Sequence, residues 1–325
     1  MRKVILGRSM LEVTAIAYGT WQFGGDWGPV DEDAAIEAIR AARQLGVTFF
    51  DTAQGYGFGR AERVLGRALA DELRSVRGEL VLATKGGLRM DGDRLGRDAS
   101  PDWLRRGVDA SLQALGVDYI DLFQLHWPDP ATPITQSAEA LAALVDEGLI
   151  HHVGVSNFSV AEMQEFSAVV PVETLQSAYH LFRRDIEGDV LGYTAAEGIG
   201  VLVYGPLAHG LLGGVLSDDT AFPADDWRSG NSAFTGEPFR RNLAVVDELR
   251  FVASLRGATV GQLAVAWTLA NPAVNVAIVG SRRPEHLRES VGALDLQLTA
   301  ADLAEIDSIM VNAVPMGGPT PEAMP

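Results

Sequence analysis

The sequence predicts a (β/α)8 barrel. Eight short β-rich runs alternate with amphipathic stretches of helical spacing, without a break in the pattern, and that alternation makes a parallel sheet. Eight such units within about 280 residues match the count and size of a closed barrel. The competing doubly wound sheet lacks its mark, because no G-x-G-x-x-G follows the first strand. The nearest glycine cluster, Gly55-Tyr56-Gly57-Phe58-Gly59, has the wrong spacing.

The elements follow in order. Met1–Val13 reads as a hairpin beneath the barrel, and the strands as Ala15–Tyr18, Val47–Thr52, Leu80–Thr84, Tyr119–Leu125, His151–Val155, Val172–Gln176, Val201–Tyr204 and Val274–Val279. Between the first two strands, Ala34, Ala35, Ala38, Ala41, Ala42 and Leu45 share one helix face over Asp31–Leu45, and Gly46 closes it. Ser100 reads as an N-cap and Pro101 as the first residue of a helix that runs to Leu115-Gly116. Ala138–Glu147 is a helix that ends at Gly148. A long loop, Gly205–Pro238, precedes an extra helix at Phe239–Arg256, and a last helix spans Ala300–Val311. The whole chain, 1–325, reads as one domain, with Pro315–Pro325 expected to be a mobile tail.

Composition narrows the function. With 325 residues, 47% hydrophobic and 21% charged, the chain is globular in composition. Its formal charge of −17 argues against nucleic acid as a partner. The absence of cysteine excludes disulfides, thiolate metal sites and cysteine nucleophiles. The apolar run at the start is too short for a secretion signal, and no segment has the length of a membrane span, so a cytoplasmic protein is expected. Oligomeric state leaves no mark in the sequence.

A barrel carries its chemistry where the strands end. Those ends hold Asp51 with Tyr56 five residues on, Lys85, His126, Ser156-Asn157, Gln176, Tyr204 and Gly280-Ser281-Arg282. Each alone has an ordinary structural explanation. Together they bring an acid, a phenol, an ammonium and an imidazole to one rim. A phenol, ionising near ~10 in water, becomes a useful proton donor when a cation stabilises the phenolate. Lys85, one of only two lysines, can be that cation, Asp51 can hold it, and a neutral His126 can orient a carbonyl oxygen. That set suits reduction of C=O, with the hydride supplied from elsewhere.

From about Val4 to Val311 the chain resembles the aldo-keto reductases. The motifs are Phe50-Asp51-Thr52-Ala53 with Tyr56-Gly57; Ala83-Thr84-Lys85; Asp121-Leu122-Phe123-Gln124-Leu125-His126-Trp127-Pro128; Gly154-Val155-Ser156-Asn157-Phe158; Tyr204-Gly205-Pro206-Leu207; and Gly280-Ser281-Arg282-Arg283-Pro284. The resemblance implies a catalytic tetrad of Asp51, Tyr56, Lys85 and His126, with Tyr56 as the proton donor. It implies carboxamide contacts from Ser156, Asn157 and Gln176, and ring stacking by Tyr204. It implies a pyrophosphate cover from Gly205, Pro206, Leu207, Ala208 and Gly210, and an adenosine clamp from Gly280, Ser281, Arg282, His286, Glu289 and Ser290. Gly19, Thr20 and Trp21 join the implied cofactor contacts, as does Asp51. Ser281 and Arg282 favour NADP over NAD, with NADH still possible, and Arg283 and Arg288 add charge behind the eighth strand. Trp21, Phe23, Trp27 and Trp127 are expected to line the open end, and their aromatic walls suggest an apolar or aromatic carbonyl compound as the small-molecule substrate. No metal is expected.

The chain departs from the resemblance where Gln176-Ser177-Ala178-Tyr179 is followed by His180 rather than the usual Asn, and at His286 and Ser290 in the clamp. Two other readings of the same residues are a cofactor-binding subunit that reports redox state to a partner, and a Schiff-base aldolase using Lys85. The lack of a long N-terminal partner segment favours the free enzyme. The aldolase leaves the nicotinamide-site residues without a purpose.

Overall fold

In the computed structural model, described for residues 1–25, 28–92, 94–224 and 226–316, eight parallel strands close into a barrel. Numbered in chain order they are β1 (Ile16–Gly19), β2 (Phe49–Asp51), β3 (Val81–Gly86), β4 (Ile120–Leu125), β5 (Ile150–Ser156), β6 (Thr174–Ala178), β7 (Gly200–Tyr204) and β8 (Val276–Val279). Each strand pairs in parallel with the next in sequence, and β8 pairs with β1 to close the ring. All eight expected runs become strands, with ends shifted by a residue or two.

The hairpin pairs Lys3–Ile5 with Glu12–Thr14 and seals one end. Leu6 and Val13, both fully buried, plug the barrel against Phe49, Leu122, Leu202 and Val276. Gly7 is required in this plug: its φ is +53°, and a Cβ there would lie 2.1 Å from the Gly200 nitrogen. Fully burying one aliphatic side chain contributes about 1.5–3 kcal/mol, so the plug is a substantial share of a domain's net stability.

Helices cover the outside. The Glu32–Gln44 helix starts at Asp31, whose carboxylate accepts from the Asp33 and Ala34 amides. Reciprocal capping boxes open Val160–Ser167, Val260–Ala270 and Ala300–Met310. Ser100 precedes Pro101–Leu115 as expected, but its hydroxyl caps nothing; it donates to Asp98 Oδ1 at 2.5 Å. The expected Ala138–Glu147 helix begins a turn earlier and spans Ile134–Asp146. The two extra helices, Gly236–Leu255 and Ala300–Met310, share one cluster in which Leu249 and Val252 pack with Ile306 and Ile309.

Two features depart from the sequence reading. An extra hairpin, Leu88–Asp91 with Arg94–Arg97, follows β3. The tail is docked as far as Met316, which is buried and donates its amide to Phe182 O at 2.6 Å. Buried Asn242 holds the segment by accepting from Val314 N and donating to Val314 O. The rest of the expected tail, 317–325, lies outside the described residues. No helix among the described residues is long and apolar enough to cross a membrane.

Candidate active site

The barrel opens at the C-terminal ends of its strands into a cavity of about 480 Å³. Strand pairing aligns its floor. Asp51 ends β2 opposite Ala83, and Lys85 stands two residues further along β3, so both point inward. The β2–β3 ladder continues past the strand, with Thr52 N donating to Ala83 O and Gln54 N to Lys85 O, both at 2.9 Å. This continuation turns the chain so that Tyr56 returns over Lys85.

Lys85 is fully buried. Its Nζ donates to Asp51 Oδ1 at 2.7 Å, to Thr52 O at 2.9 Å and to Tyr56 Oη at 3.3 Å. An ammonium has three hydrogens, and each has an acceptor. The other Asp51 oxygen accepts from Gln176 Nε2 at 2.9 Å. A buried ion pair is tolerated when its polar atoms are hydrogen-bonded, and here both Asp51 oxygens and all three Lys85 hydrogens have partners.

His126 follows β4, and its ring stands edge-on to the Tyr56 ring at 5.8 Å between centroids. Burial, aided by the Lys85 charge, holds its pKa well below the usual histidine value, so the imidazole is neutral at pH 7. Asn157 sits at φ +62°, a left-handed conformation that Asn tolerates. That turn sends its amide nitrogen to His126 O and Ser156 Oγ, and its oxygen accepts from Tyr204 Oη at 2.9 Å.

Of the expected tetrad, Asp51, Tyr56 and His126 line the cavity, and Lys85 lies directly behind them. Every residue expected to touch the cofactor also lines the cavity, with one exception. Ala208, at φ +47°, is fully buried and turned into the core cluster that holds Leu249 and Ile306. Trp21 and Trp127 line the open end, but Phe23 does not. In the short turn Trp21–Phe23, Trp21 faces the cavity while Phe23 is buried against Tyr18, 6.4 Å between ring centroids. Trp27 lies outside the described residues. Arg283 and Arg288 are exposed and do not line the cavity, whereas Arg282 does.

The cavity also has walls that sequence reasoning missed. Gln22 lines it and donates to Gly19 O at 3.0 Å and Ser281 O at 3.2 Å. Arg228 lines it from the long loop, pairing with Asp226 at 2.6 Å and donating to His209 O at 3.1 Å. Only the folding of that loop brings Arg228 here, and no spacing in the sequence signals it. His209 packs between Trp21 and Trp227, with centroids at 6.0 and 5.0 Å. Burial and the neighbouring Arg183 and Arg228 lower its pKa to about 4. Buried His180 is likewise held well below its usual range, mainly by desolvation.

The donor set fits a nicotinamide dinucleotide. Ser156, Asn157 and Gln176 offer amide-recognising groups beside the tetrad, and Arg282 and His286 stand at the other end. Backbone lines the middle, where Gly205 and Gly210 adopt φ +69° and +99°. Gly280 lines the wall, where a Cβ would lie 3.3 Å from Gly19 O. Among the described residues no cluster could hold a metal ion.

Comparison with known proteins agrees with the geometry. The family model described as the Aldo/keto reductase family matches residues 15–311. The aldo-keto reductase YhdN of Bacillus subtilis is 39% identical over 306 residues, covering 94% of this chain and 92% of its own. An NADH-specific methylglyoxal reductase of Escherichia coli is 32% identical, covering 93% of this chain and 96% of its own. The structure of the glycerol dehydrogenase AKR11B4 from Gluconobacter oxydans superposes with a TM-score of 0.87 at 38% identity, over 97% of this chain and 96% of that one. With its barrel, its strand-end residues and a family match over nearly its whole length, the chain belongs to the aldo-keto reductase family and is an NAD(P)H-dependent oxidoreductase of carbonyl compounds.

Proposed function

We propose that the protein is an NADPH-preferring reductase of small aldehydes and ketones, with Tyr56 as its proton donor. The observation that carries this reading is Lys85 Nζ, held by Asp51 at 2.7 Å and donating to Tyr56 Oη at 3.3 Å, beside a neutral His126.

When bound, the nicotinamide supplies the hydride that reduces the carbonyl carbon. The chain's residues manage the oxygen. His126 and Tyr56 hydrogen-bond the carbonyl oxygen and fix its direction. As negative charge grows on that oxygen, Tyr56 gives it the phenolic proton. Lys85 stabilises the phenolate left behind, and Asp51 keeps the ammonium in position. Such general-acid assistance is typically worth 10²–10⁴ in rate, about 3–5 kcal/mol of barrel-rim electrostatics. Tyr204, whose hydroxyl donates to Asn157 Oδ1, lines the cavity and would offer a nicotinamide ring a face to stack on.

Arg282 supports the preference for NADPH, since a guanidinium matches a phosphate. The E. coli relative named NADH-specific makes this the point most in need of measurement. Trp21 and Trp127 give the substrate end aromatic walls, and relatives named for methylglyoxal and glycerol support compact substrates. The test is a panel of methylglyoxal, glyceraldehyde and benzaldehyde, assayed with NADPH and with NADH by loss of nicotinamide absorbance. Faster turnover with NADPH on at least one aldehyde is expected. No oxidation of either cofactor across the panel would refute the reading.

A further inference from the structure

Gln176 has a second set of partners besides the cavity it lines. Its Nε2 donates to Asp51 Oδ2 at 2.9 Å and lies 3.4 Å from Gln124 Oε1. The other Asp51 oxygen accepts from Lys85, which donates onward to Tyr56. A continuous hydrogen-bonded row therefore crosses the barrel from β6 through β2 and β3 to the Tyr56 hydroxyl.

The direction of this row is fixed by charge. An ionised carboxylate only accepts, so the Gln176 amide must turn its nitrogen toward Asp51. Turned the other way, the amide oxygen would face carboxylate oxygen. Gln124 conforms, presenting its own oxygen to the same nitrogen. The Gln176 Oε1 is then the atom left for the cavity, and it can only accept. A ligand amide that meets it must donate.

We infer that Gln176 is a positioning residue that couples the nicotinamide site to the Asp51–Lys85–Tyr56 row. This rests on the cofactor assignment proposed above. A carboxamide N–H that bonds Gln176 Oε1 polarises the amide, strengthens the bond from its nitrogen to Asp51, and fixes Asp51 against Lys85. The proton donor is then held most firmly when the hydride source is in place.

Two substitutions test the coupling. Gln176→Met keeps the shape and removes both hydrogen bonds. Gln176→Glu puts a second carboxyl against Asp51, so the pair shares one proton in acid and repels when both ionise. The other titratable groups of this region are Lys85, Tyr56, His126 and Glu62, the last reaching β3 through Thr84 at 2.7 Å. NADPH affinity is read by quenching of tryptophan fluorescence, kcat against pH at saturating NADPH with an aldehyde that wild type turns over, and folding by melting temperature.

With coupling, Gln176→Met lowers kcat about tenfold even at saturation. Gln176→Glu stays within a few-fold of wild type in acid and loses about tenfold more as pH rises. If both variants keep the wild-type kcat and pH profile and change only NADPH affinity, Gln176 is a carboxamide contact alone and the coupling is wrong. If Gln176→Glu does not fold, the uncharged Gln176→Met decides between the same two outcomes. Wild-type protein that neither binds NADPH nor turns over would overturn the cofactor assignment, and the coupling with it.

Discussion

At the strand-end side of the cavity, Lys85 has all three ammonium hydrogens committed, and both Asp51 oxygens are held. At the far side, Arg282 is exposed and donates to main-chain carbonyls of Gln22, Gly28 and Pro29 at 3.1–3.4 Å. The first set is fixed by neighbouring strands before any ligand arrives. The second belongs to loops, and a phosphate would have to draw the guanidinium from main-chain carbonyls. Chemistry that needs positions held within about half an ångström sits on the rigid side. The proposed recognition of the cofactor's tail falls where side chains can exchange partners.

Substitutions on the two sides should therefore fail differently. Lys85→Met should lower kcat by about 10²–10⁴. It should also destabilise the fold by about 3–5 kcal/mol, because Asp51 is left buried without its cation. Rate assays and urea unfolding measure the two losses; a stable, active variant would dissolve the contrast between the ends. Arg282→Ala should leave melting temperature and kcat close to wild type. It should weaken NADPH about 10–100-fold more than NADH, read by fluorescence titration with each. Equal losses would mean that Arg282 acts only as a clamp on Gln22, Gly28 and Pro29.

The smallest effect concerns acid stability. His126, His180 and His209 are all held neutral by burial, the last with a pKa of about 4. Unfolding exposes each to water, where it takes up a proton below its ordinary value near ~6.5. The unfolded chain then binds more protons, so stability is full above that pH and falls as acid is added. Each histidine contributes about 1.4 kcal/mol per pH unit in that window, and His209 stops contributing near its own pKa of about 4. Melting curves from neutral pH downward should steepen accordingly, and His180→Asn should remove one histidine's share of the slope. An unchanged slope would place His180 outside this effect.

The part of the molecule legible in the sequence is the part set by local rules. Strand and helix periods mark the eight units, and a barrel carries its active residues at one set of strand ends, so Asp51, Lys85, His126 and Gln176 can be read in order. What escaped depends on geometry with no local signature. Phe23 sits two residues from Trp21 in a tight turn, and only the turn's path sends one ring inward and the other to the cavity. Arg228 reaches the site across a long loop. The docking of Val314 to Met316 depends on Asn242, some seventy residues away in sequence. The hairpin at Leu88–Arg97 turns at Gly92, φ +62°, within a polar stretch that reads as loop.

The most direct test is Tyr56→Phe, assayed for NADPH binding and for turnover of an aldehyde that wild type reduces. The ring remains and keeps its packing beside His126 and Trp21, and only the hydroxyl facing Lys85 is lost. NADPH affinity should stay near normal while turnover falls by about 10²–10⁴. Turnover close to wild type would show that the proton comes from another group.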